Sequence, residues 1–135
     1  MALNQCLNLI LTRAQQVVHQ HFRTQLEVLD VTPVQYAVLD TLWKEDNLTP
    51  SQIAGSISLD SSTVTGILDR LENKNLVKRM PDPTDRRAVR VTLTNNGREL
   101  EEPLMKIIAE CNQTVMKVFT LDEQEVLIKI LQRLA

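Results

Sequence analysis

Apolar residues recur every three or four positions in three long stretches of the chain, a spacing that predicts amphipathic helices. The first stretch covers residues 3–29 and contains neither Gly nor Pro. The second covers residues 100–118 and holds Pro103 near its start, so we expect a kink or a late start there. The third covers residues 126–134. The chain should therefore begin and end in long helices.

Three short segments carry the signature of a helix start, in which a Thr and a Gln or Glu three residues later cap each other. They are residues 32–35, 49–52 and 120–123, and the first two also place Pro at the favoured first helical position. They predict a second helix that ends near residues 45–47, a short third helix that ends at Ile57, and a last helix after residue 120.

A fourth helix is predicted from about Asp60 to Asn75, with a side chain suited to the N-cap at one end and Asn suited to the left-handed position at the other. Beyond it the periodicity changes from helical to alternating. This change predicts strands at 77–80 and 89–93 around a charged, turn-rich loop at 81–87. The order α-α-α-α-β-β-α-α describes a mainly α fold with one small β-hairpin.

The composition of the 135 residues is that of an ordinary soluble globular protein, with 43% hydrophobic and 24% charged side chains. Three glycines and four aromatic residues argue against an all-β sandwich and against a dinucleotide-binding fold. No apolar run reaches the roughly 20 residues that span a bilayer, and residues 1–11 lack the features of a signal peptide. We therefore expect a cytoplasmic protein without a membrane partner.

The net charge of −2 would by itself argue against a nucleic-acid partner, but the charge is unevenly distributed. Residues 60–98 carry eight basic and five acidic side chains, whereas residues 1–59 carry three and five and residues 99–135 carry four and seven. The local field matters more to a phosphate partner than the total. A solvated face of mixed charge would show the same numbers, so charge alone does not decide.

Residues 49–71 carry the apolar pattern of a helix-turn-helix, with small Ala54 where two helices must approach and Ser58 at a turn where many such motifs have Gly. The predicted hairpin follows directly. An α-helix fits the major groove of DNA, and a two-stranded ribbon can reach the neighbouring minor groove or backbone. The pattern therefore predicts a winged helix-turn-helix lobe at residues 32–93.

The outward side chains at the start of the fourth helix are short, polar and uncharged, which lets the backbone approach the groove floor while free N–H groups there bind phosphate. Helix capping explains one or two of these hydroxyls but not all four. A basic residue further along the helix can reach a guanine edge or a phosphate. We therefore assign DNA contacts on this helix to Ser61, Ser62, Thr63, Thr65 and Arg70.

In the predicted hairpin loop, Arg86 and Arg87 follow Asp85. A guanidinium suits the narrow, strongly negative minor groove of A/T-rich DNA. A neighbouring carboxylate can hold that guanidinium in an extended pose. Two arginines in a loop are usually only solvated side chains at its tip. After a predicted recognition helix, however, they indicate a loop that reaches into the minor groove of DNA.

Together, residues 59–72, 76–79, 82–89, 93–94 and 97 closely resemble the multiple-antibiotic-resistance regulator (MarR) family, and the resemblance extends over nearly the whole chain. It implies one MarR-like domain at 1–135 that forms a symmetric homodimer through residues 1–31 and 94–135. It also implies a repressor of a palindromic operator, released by a small ligand or by oxidation.

By position, the resemblance identifies Asp85 and Arg87 as the wing pair, with Asp85 orienting Arg87 in the minor groove. It places Ser61, Thr63, Thr65 and Arg70 where the family reads the major groove. Two residues depart from the family pattern. Asn75 stands where Gly is usual, and Gly66 removes a side chain often used for base contact.

The two cysteines, Cys6 and Cys111, lie far apart, and in a cytoplasmic chain we interpret them as reduced thiols. Some members of the resembled family sense organic hydroperoxides through a Cys in the first helix that tyrosines activate. Cys6 is about two residues out of that register, and Phe22 and Thr12 occupy the tyrosine positions. A thiol-based redox-sensing repressor acting through Cys6 is therefore an alternative rather than the main hypothesis.

The resemblance also implies an effector pocket between the dimer helices and the winged lobe, with a small aromatic or phenolic compound held near His21, Phe22, Tyr36 and Trp43. An equal alternative is that the three aromatic residues belong to the core and His21 is a satisfied polar residue. His19 and His21 are two apart and face different ways without a Cys or carboxylate cluster, so we predict no metal and no cofactor.

Two functions of different class follow from these patterns. The first is a DNA-binding regulator, and the second is a winged-helix module that binds another protein and has lost DNA recognition. The basic loop and the polar helix face favour the first. An enzyme is not predicted, because the sequence has no phosphate loop, no metal-ligand spacing and no nucleophile paired with a base.

Overall fold

The first helix is shorter than its apolar periodicity predicts. In the computed structural model, which describes residues 2–135, helix α1 spans Leu7–Leu26 between short 3-10 helices at Leu3–Gln5 and Glu27–Leu29. Cys6 takes an extended backbone before α1, and Asp30 takes a left-handed one, with φ 55°, after the second 3-10 helix. The apolar spacing continues across both interruptions, so periodicity alone does not reveal them.

Helices α2 (Pro33–Lys44), α3 (Pro50–Ile57) and α7 (Leu121–Gln132) all begin with a complete capping box. In each box the Thr side chain accepts a hydrogen bond from the backbone N–H three residues later, and the side chain of that later residue accepts one from the Thr backbone N–H. Two N–H groups that a helix start would leave free are thereby satisfied. The three predicted helix starts are confirmed.

Helix α4 spans Ser61–Asn73, with Asp60 as its N-cap. The turn between α3 and α4 places Ser58 in left-handed backbone with φ 57°, and Asn75 beyond α4 has φ 60°. This backbone favours glycine, and Asn tolerates it better than most residues. The predicted left-handed residue after α4 is therefore confirmed at Asn75.

Strands β1 (Val77–Pro81) and β2 (Val89–Leu93) form an antiparallel pair in which Arg79 lies opposite Val91. Leu48 adds a single bridge to this pair. Its backbone N–H donates to the Val91 carbonyl at 3.1 Å, and its own carbonyl accepts from the Val91 N–H at 2.7 Å. The hairpin is therefore held by the segment that joins α2 to α3.

After β2 the chain forms helix α5 (Asn95–Glu99) and then helix α6 (Glu101–Met116). Pro103 is the third residue of α6, inside the first turn. A proline is tolerated there because the first N–H groups of a helix have no intrahelical acceptor. The late start expected near Pro103 is confirmed.

The chain divides into two compact units, one covering Leu26–Met105 and the other covering the described residues up to Gln25 together with Lys106–Ala135. We call the first the winged unit and the second the outer-helix unit. The side chains that are fully buried in the winged unit include Val38, Leu39, Leu42, Ile53, Val64, Leu68, Leu71, Val77 and Val91. The assignment of DNA binding to residues 32–93 and of dimerisation to residues 1–31 and 94–135 stays a prediction.

Gly97 lies where the chain passes close to another backbone segment. A Cβ atom at this position would overlap the carbonyl oxygen of Leu76 and lie 3.2 Å from the Leu93 side chain. The Gly97 N–H donates to the Thr94 side chain at 3.0 Å, and the Gly97 carbonyl accepts from Trp43 Nε1 at 3.0 Å. The glycine is required here by close approach, since its φ is not positive.

Gly97→Ala should therefore lower the free energy of unfolding by about 2 kcal/mol or more, because the added methyl displaces a backbone carbonyl in a packed region. Gly55→Ala is the matched control. A Cβ at Gly55 meets nothing within 4 Å, so the helix propensity of Ala should raise stability by about 0.5–1 kcal/mol. Urea unfolding measures both, and equal effects of the two substitutions would contradict the close approach.

Candidate nucleic-acid interface

The start of α4 is organised by the carboxylate of Asp60. Its Oδ1 accepts one hydrogen bond from the Thr63 N–H and another from the Ser62 hydroxyl, both at 2.7 Å. The hydrogen bond from the Thr63 N–H makes the largest contribution to lowering the pKa of Asp60, and the hydroxyl bonds lower it further. The Thr63 N–H is therefore not free to bind phosphate, and in this respect the sequence expectation of free N–H groups at the helix start is corrected.

Helix α4 has two faces of different character. Its buried face consists of Val64, Ile67, Leu68 and Leu71. All the residues that we predicted to contact DNA on this helix are exposed, namely Ser61, Ser62, Thr63, Thr65 and Arg70. The helical period thus separates a face that anchors the helix from a face that is available to a partner.

The hairpin loop presents Asp85, Arg86 and Arg87 to solvent. Asp85 Oδ1 accepts a hydrogen bond from the Arg87 backbone N–H at 3.0 Å, and the Asp85 carbonyl accepts from the Ala88 N–H at 3.1 Å. The carboxylate therefore stabilises the turn that carries Arg87. Its predicted role in orienting the Arg87 guanidinium stays a prediction.

Asp82 anchors the loop, a role that the sequence did not reveal. Its side chain is 8% exposed and accepts hydrogen bonds at 2.8 Å from the Thr84 N–H, the Thr84 hydroxyl and Arg90 Nε. Arg90 also donates to the carbonyl of Asn47 at 3.1 Å. The bonds from Thr84 and Arg90 hold the pKa of Asp82 well below the usual carboxyl range.

Part of this arrangement had a local signal. An Asp two residues before a Thr, as at Asp82 and Thr84, favours a turn closed by the Asp side chain. The partnership with Arg90 and Asn47 had no such signal, because Asn47 lies 43 residues earlier in the chain than Arg90.

A second ion-pair group joins β1 to α4. The Arg79 guanidinium donates to Glu72 Oε2 at 3.0 Å and also to Asp69. The Arg79 backbone N–H donates to the same Glu72 oxygen at 3.2 Å. Asp69 and Glu72 lie on α4, so one arginine fixes the first strand of the hairpin to the helix that precedes it.

The four residues predicted to hold an effector form one T-shaped pair and one tilted pair of rings, each within one unit. His21 and Phe22 lie in the outer-helix unit with ring centroids 6.4 Å apart. Tyr36 and Trp43 lie in the winged unit at 6.3 Å. Trp43 Nε1 is satisfied by Gly97, as described above, so this residue has a clear structural role.

Tyr36 borders an open cleft between α2 and α3 of about 340 Å³, lined also by Ala37, Asp40, Thr41, Lys44, Glu45, Leu48, Ser56 and Ile57. Burial, and then the charge of Asp40, raises the pKa of Tyr36. Its hydroxyl donates to the Met105 sulfur at 3.7 Å. The phenol is therefore neutral at physiological pH, and its proton is directed to the Met105 sulfur.

Neither cysteine forms a disulfide. Cys111 is buried, and burial together with Glu110 raises the pKa of its thiol, which makes it unreactive. Cys6 is partly exposed at the end of the first 3-10 helix. Across residues 2–135, no group of three His, Cys, Asp or Glu side chains is placed to hold a metal ion, and no helix is long and apolar enough to cross a membrane.

Comparisons with known proteins agree on one family. The model of the MarR family matches residues 31–89. The multiple antibiotic resistance protein MarR of Escherichia coli is 33% identical over 109 residues, which cover 80% of this chain and 76% of that protein.

Two solved structures extend this similarity to nearly the whole chain. A mutant MarR from Escherichia coli complexed with operator DNA has a TM-score of 0.88 and 29% identity, covering 95% of this chain and 92% of that one. BpsR of Bordetella bronchiseptica, whose DNA binding is regulated by 6-hydroxynicotinic acid, has a TM-score of 0.93 and 25% identity, covering 99% and 96%.

Replacing Asp82 with Asn should loosen the hairpin loop, because an amide cannot supply the charge that Arg90 and Thr84 stabilise. The pKa of Asp82 is lower in the folded state than its ordinary value of 3.8. Its carboxylate therefore stabilises the fold above that pH, and the contribution is lost as the pH falls further through the folded-state pKa.

We therefore expect Asp82→Asn to be less stable than the wild type by a constant amount between about pH 5 and pH 8, and the difference to shrink below pH 3.8. Urea unfolding across this range measures it. Asp85→Asn, at the exposed tip, is the control and should change little. A difference that does not respond to acid would contradict the role of the charged Asp82.

Proposed function

Because the chain belongs to the MarR family of winged helix-turn-helix, DNA-binding transcriptional regulators, we propose that it is a repressor that binds a palindromic operator as a homodimer and is released by a small-molecule effector. The observation that carries the proposal is the pairing, within the winged unit, of an exposed, uncharged surface at the start of α4, residues 61–66, with an arginine-bearing hairpin loop. A helix and a ribbon in this order suit adjacent grooves of a duplex. The proposed site of action is the cytoplasm.

In the proposed complex α4 enters the major groove, with base contacts from Ser61, Ser62, Thr63 and Thr65 and a base or phosphate contact from Arg70. Arg87 enters the minor groove, with Asp85 orienting it and Arg86 beside it. The support lies in the bonds that hold the two elements together. Arg79 ties β1 to α4, and Asp82 with Arg90 ties the loop to the Asn47 carbonyl. A helix and a loop that are already fixed by such bonds lose less conformational entropy when they bind DNA.

The homodimer is supported by apolar side chains that stay exposed on the helices of the outer-helix unit. Val17 is 72% exposed, Val118 80% and Leu121 82%. An apolar groove of about 480 Å³ lies beside two of them, lined by Ala14, Val17, Val18, His21, Thr114, Val115, Val118 and Phe119. Monomers rarely leave apolar surface of this kind uncovered, and a second copy would bury it. A dimer also accounts for a palindromic operator.

The proposed effector is a small aromatic or phenolic compound, held near His21, Phe22, Tyr36 and Trp43. The neutral Tyr36 phenol beside its cleft supports this, as does the regulation of the related BpsR by 6-hydroxynicotinic acid. The competing hypothesis of a protein-binding module without DNA recognition leaves the arginines of the loop tip without a partner, and we favour it less.

Arg87→Ala should weaken binding to an operator by roughly tenfold or more without unfolding the protein, since an arginine contact to DNA contributes about 1–3 kcal/mol. Duplexes selected from a random-core library provide the probe, and titration at several salt concentrations provides the affinities. Affinity should fall steeply with salt, because phosphate neutralisation releases counterions.

Arg13→Ala removes one exposed arginine outside the winged unit and is the matched control. It should bind the selected duplex as the wild type does. If Arg87→Ala retains full affinity, the role of the hairpin loop in DNA binding is wrong. If the wild type selects no duplex, the proposed function itself is wrong.

A further inference from the structure

Two of the exposed hydroxyls at the start of α4 are already committed as hydrogen-bond donors. The Ser62 hydroxyl donates to Asp60 Oδ1 at 2.7 Å. The Thr65 hydroxyl donates to the backbone carbonyl of Ser61 at 2.9 Å. A hydroxyl has a single proton, so both side chains retain only lone pairs, and they can accept but not donate a bond to DNA.

The bond made by Thr65 also determines which part of its side chain faces outward. Its hydroxyl lies back against the preceding helical turn, so the γ-methyl group is left as the outer group of an exposed residue. The threonine χ1 angle is fixed by the same bond. The next residue, Gly66, has no side chain, and nothing lies within 4 Å of the place where its Cβ would be. No side chain at position 66 therefore covers the surface next to Thr65.

Ser62, Thr65 and Gly66 share one face of the helix, because residues three and four apart are neighbours about 5–6 Å from each other. The buried residues Val64 and Leu68 lie on the other side. No side chain between Ser61 and Gly66 carries a formal charge. This patch therefore offers a methyl group and hydrogen-bond acceptors but no free hydroxyl donor, which is chemistry for a base edge rather than for a phosphate.

We propose that Thr65 is a specificity-determining residue whose methyl group reads the 5-methyl group of a thymine in each half-site. Beside it, Ser62 Oγ accepts a hydrogen bond from the exocyclic amino group of adenine or cytosine. In the major groove thymine alone carries a methyl group, and adenine and cytosine alone offer an amino donor. A single T·A pair presents both features. The inference rests on the proposed function, since it requires α4 in the major groove.

The test replaces thymines of a selected duplex, one position at a time and in both half-sites together, with deoxyuridine. This change removes the 5-methyl group and leaves base pairing intact. Loss of one buried methyl contact should weaken wild-type binding about fourfold per half-site, or about 15-fold for the symmetric pair. We expect this penalty at one thymine position in each half-site.

Thr65→Ser keeps the hydroxyl and its bond to the Ser61 carbonyl but lacks the methyl group. This variant should bind the thymine and deoxyuridine duplexes with equal affinity. Thr24→Ser is the matched control, because this exposed threonine of the outer-helix unit makes the same hydroxyl bond to the carbonyl four residues earlier, at 2.9 Å, and it should retain the full wild-type penalty. Circular dichroism during urea unfolding confirms that each variant is folded.

The outcomes separate this inference from the proposed function. If the wild type selects no duplex, both are wrong. If it binds a selected duplex but no deoxyuridine substitution weakens binding, thymine reading is wrong and the proposed function stands. If the penalty persists unchanged in Thr65→Ser, the methyl group is read by another residue and the assignment to Thr65 is wrong.

Discussion

Burial of one face of α4 is the constraint on which the winged unit depends. Val64, Leu68 and Leu71 are fully enclosed, so the helix cannot rotate about its axis without exposing them. Enclosing such side chains contributes about 1.5–3 kcal/mol each relative to leaving them in water. Because the helical period is fixed, the same burial turns Ser62, Thr65 and Gly66 away from the core. The surface that we propose to contact DNA is therefore a consequence of core packing.

Many charged side chains of the winged unit form ion pairs or hydrogen bonds within that unit. Of the eight basic residues between 60 and 98, Lys74, Arg79, Arg90 and Arg98 form ion pairs with carboxylates of the same unit. The five acidic residues of this segment are engaged as well, in the cap of α4, in the turn of the loop, and in the pairs with Arg79 and Arg90.

Within residues 2–135, the basic side chains of this segment that make no ion pair are Arg70, Lys78, Arg86 and Arg87. Three of these four are residues that the sequence indicated as DNA contacts. The unpaired positive charge is therefore concentrated toward the end of α4 and on the hairpin, although the whole chain carries a net charge of −2. A sum over the segment could not distinguish paired from unpaired charges.

Sequence alone determined the features that are encoded by neighbours along the chain. The hairpin was predictable from the alternating apolar positions on both sides of a turn-rich loop, although its paired residues lie 8 to 16 positions apart. The capping boxes at 32–35, 49–52 and 120–123 and the left-handed Asn75 were predictable because each depends on residues a few positions apart. The exposed hydroxyl face of α4 was predictable for the same reason, since it follows from the helical period. The local pattern did not predict the extended residue Cys6 before α1, because the apolar periodicity continues across it although the helix does not.

Only the tertiary structure decided which distant groups meet. The Asn47 carbonyl accepts from Arg90, Trp43 donates to the Gly97 carbonyl, and Gly97 itself is required by the Leu76 backbone. Their separations of 43, 54 and 21 residues leave no local signal. Only the folded structure shows that the Ser62 and Thr65 hydroxyls donate hydrogen bonds within the chain. A sequence shows that a hydroxyl is present but not where its single proton points.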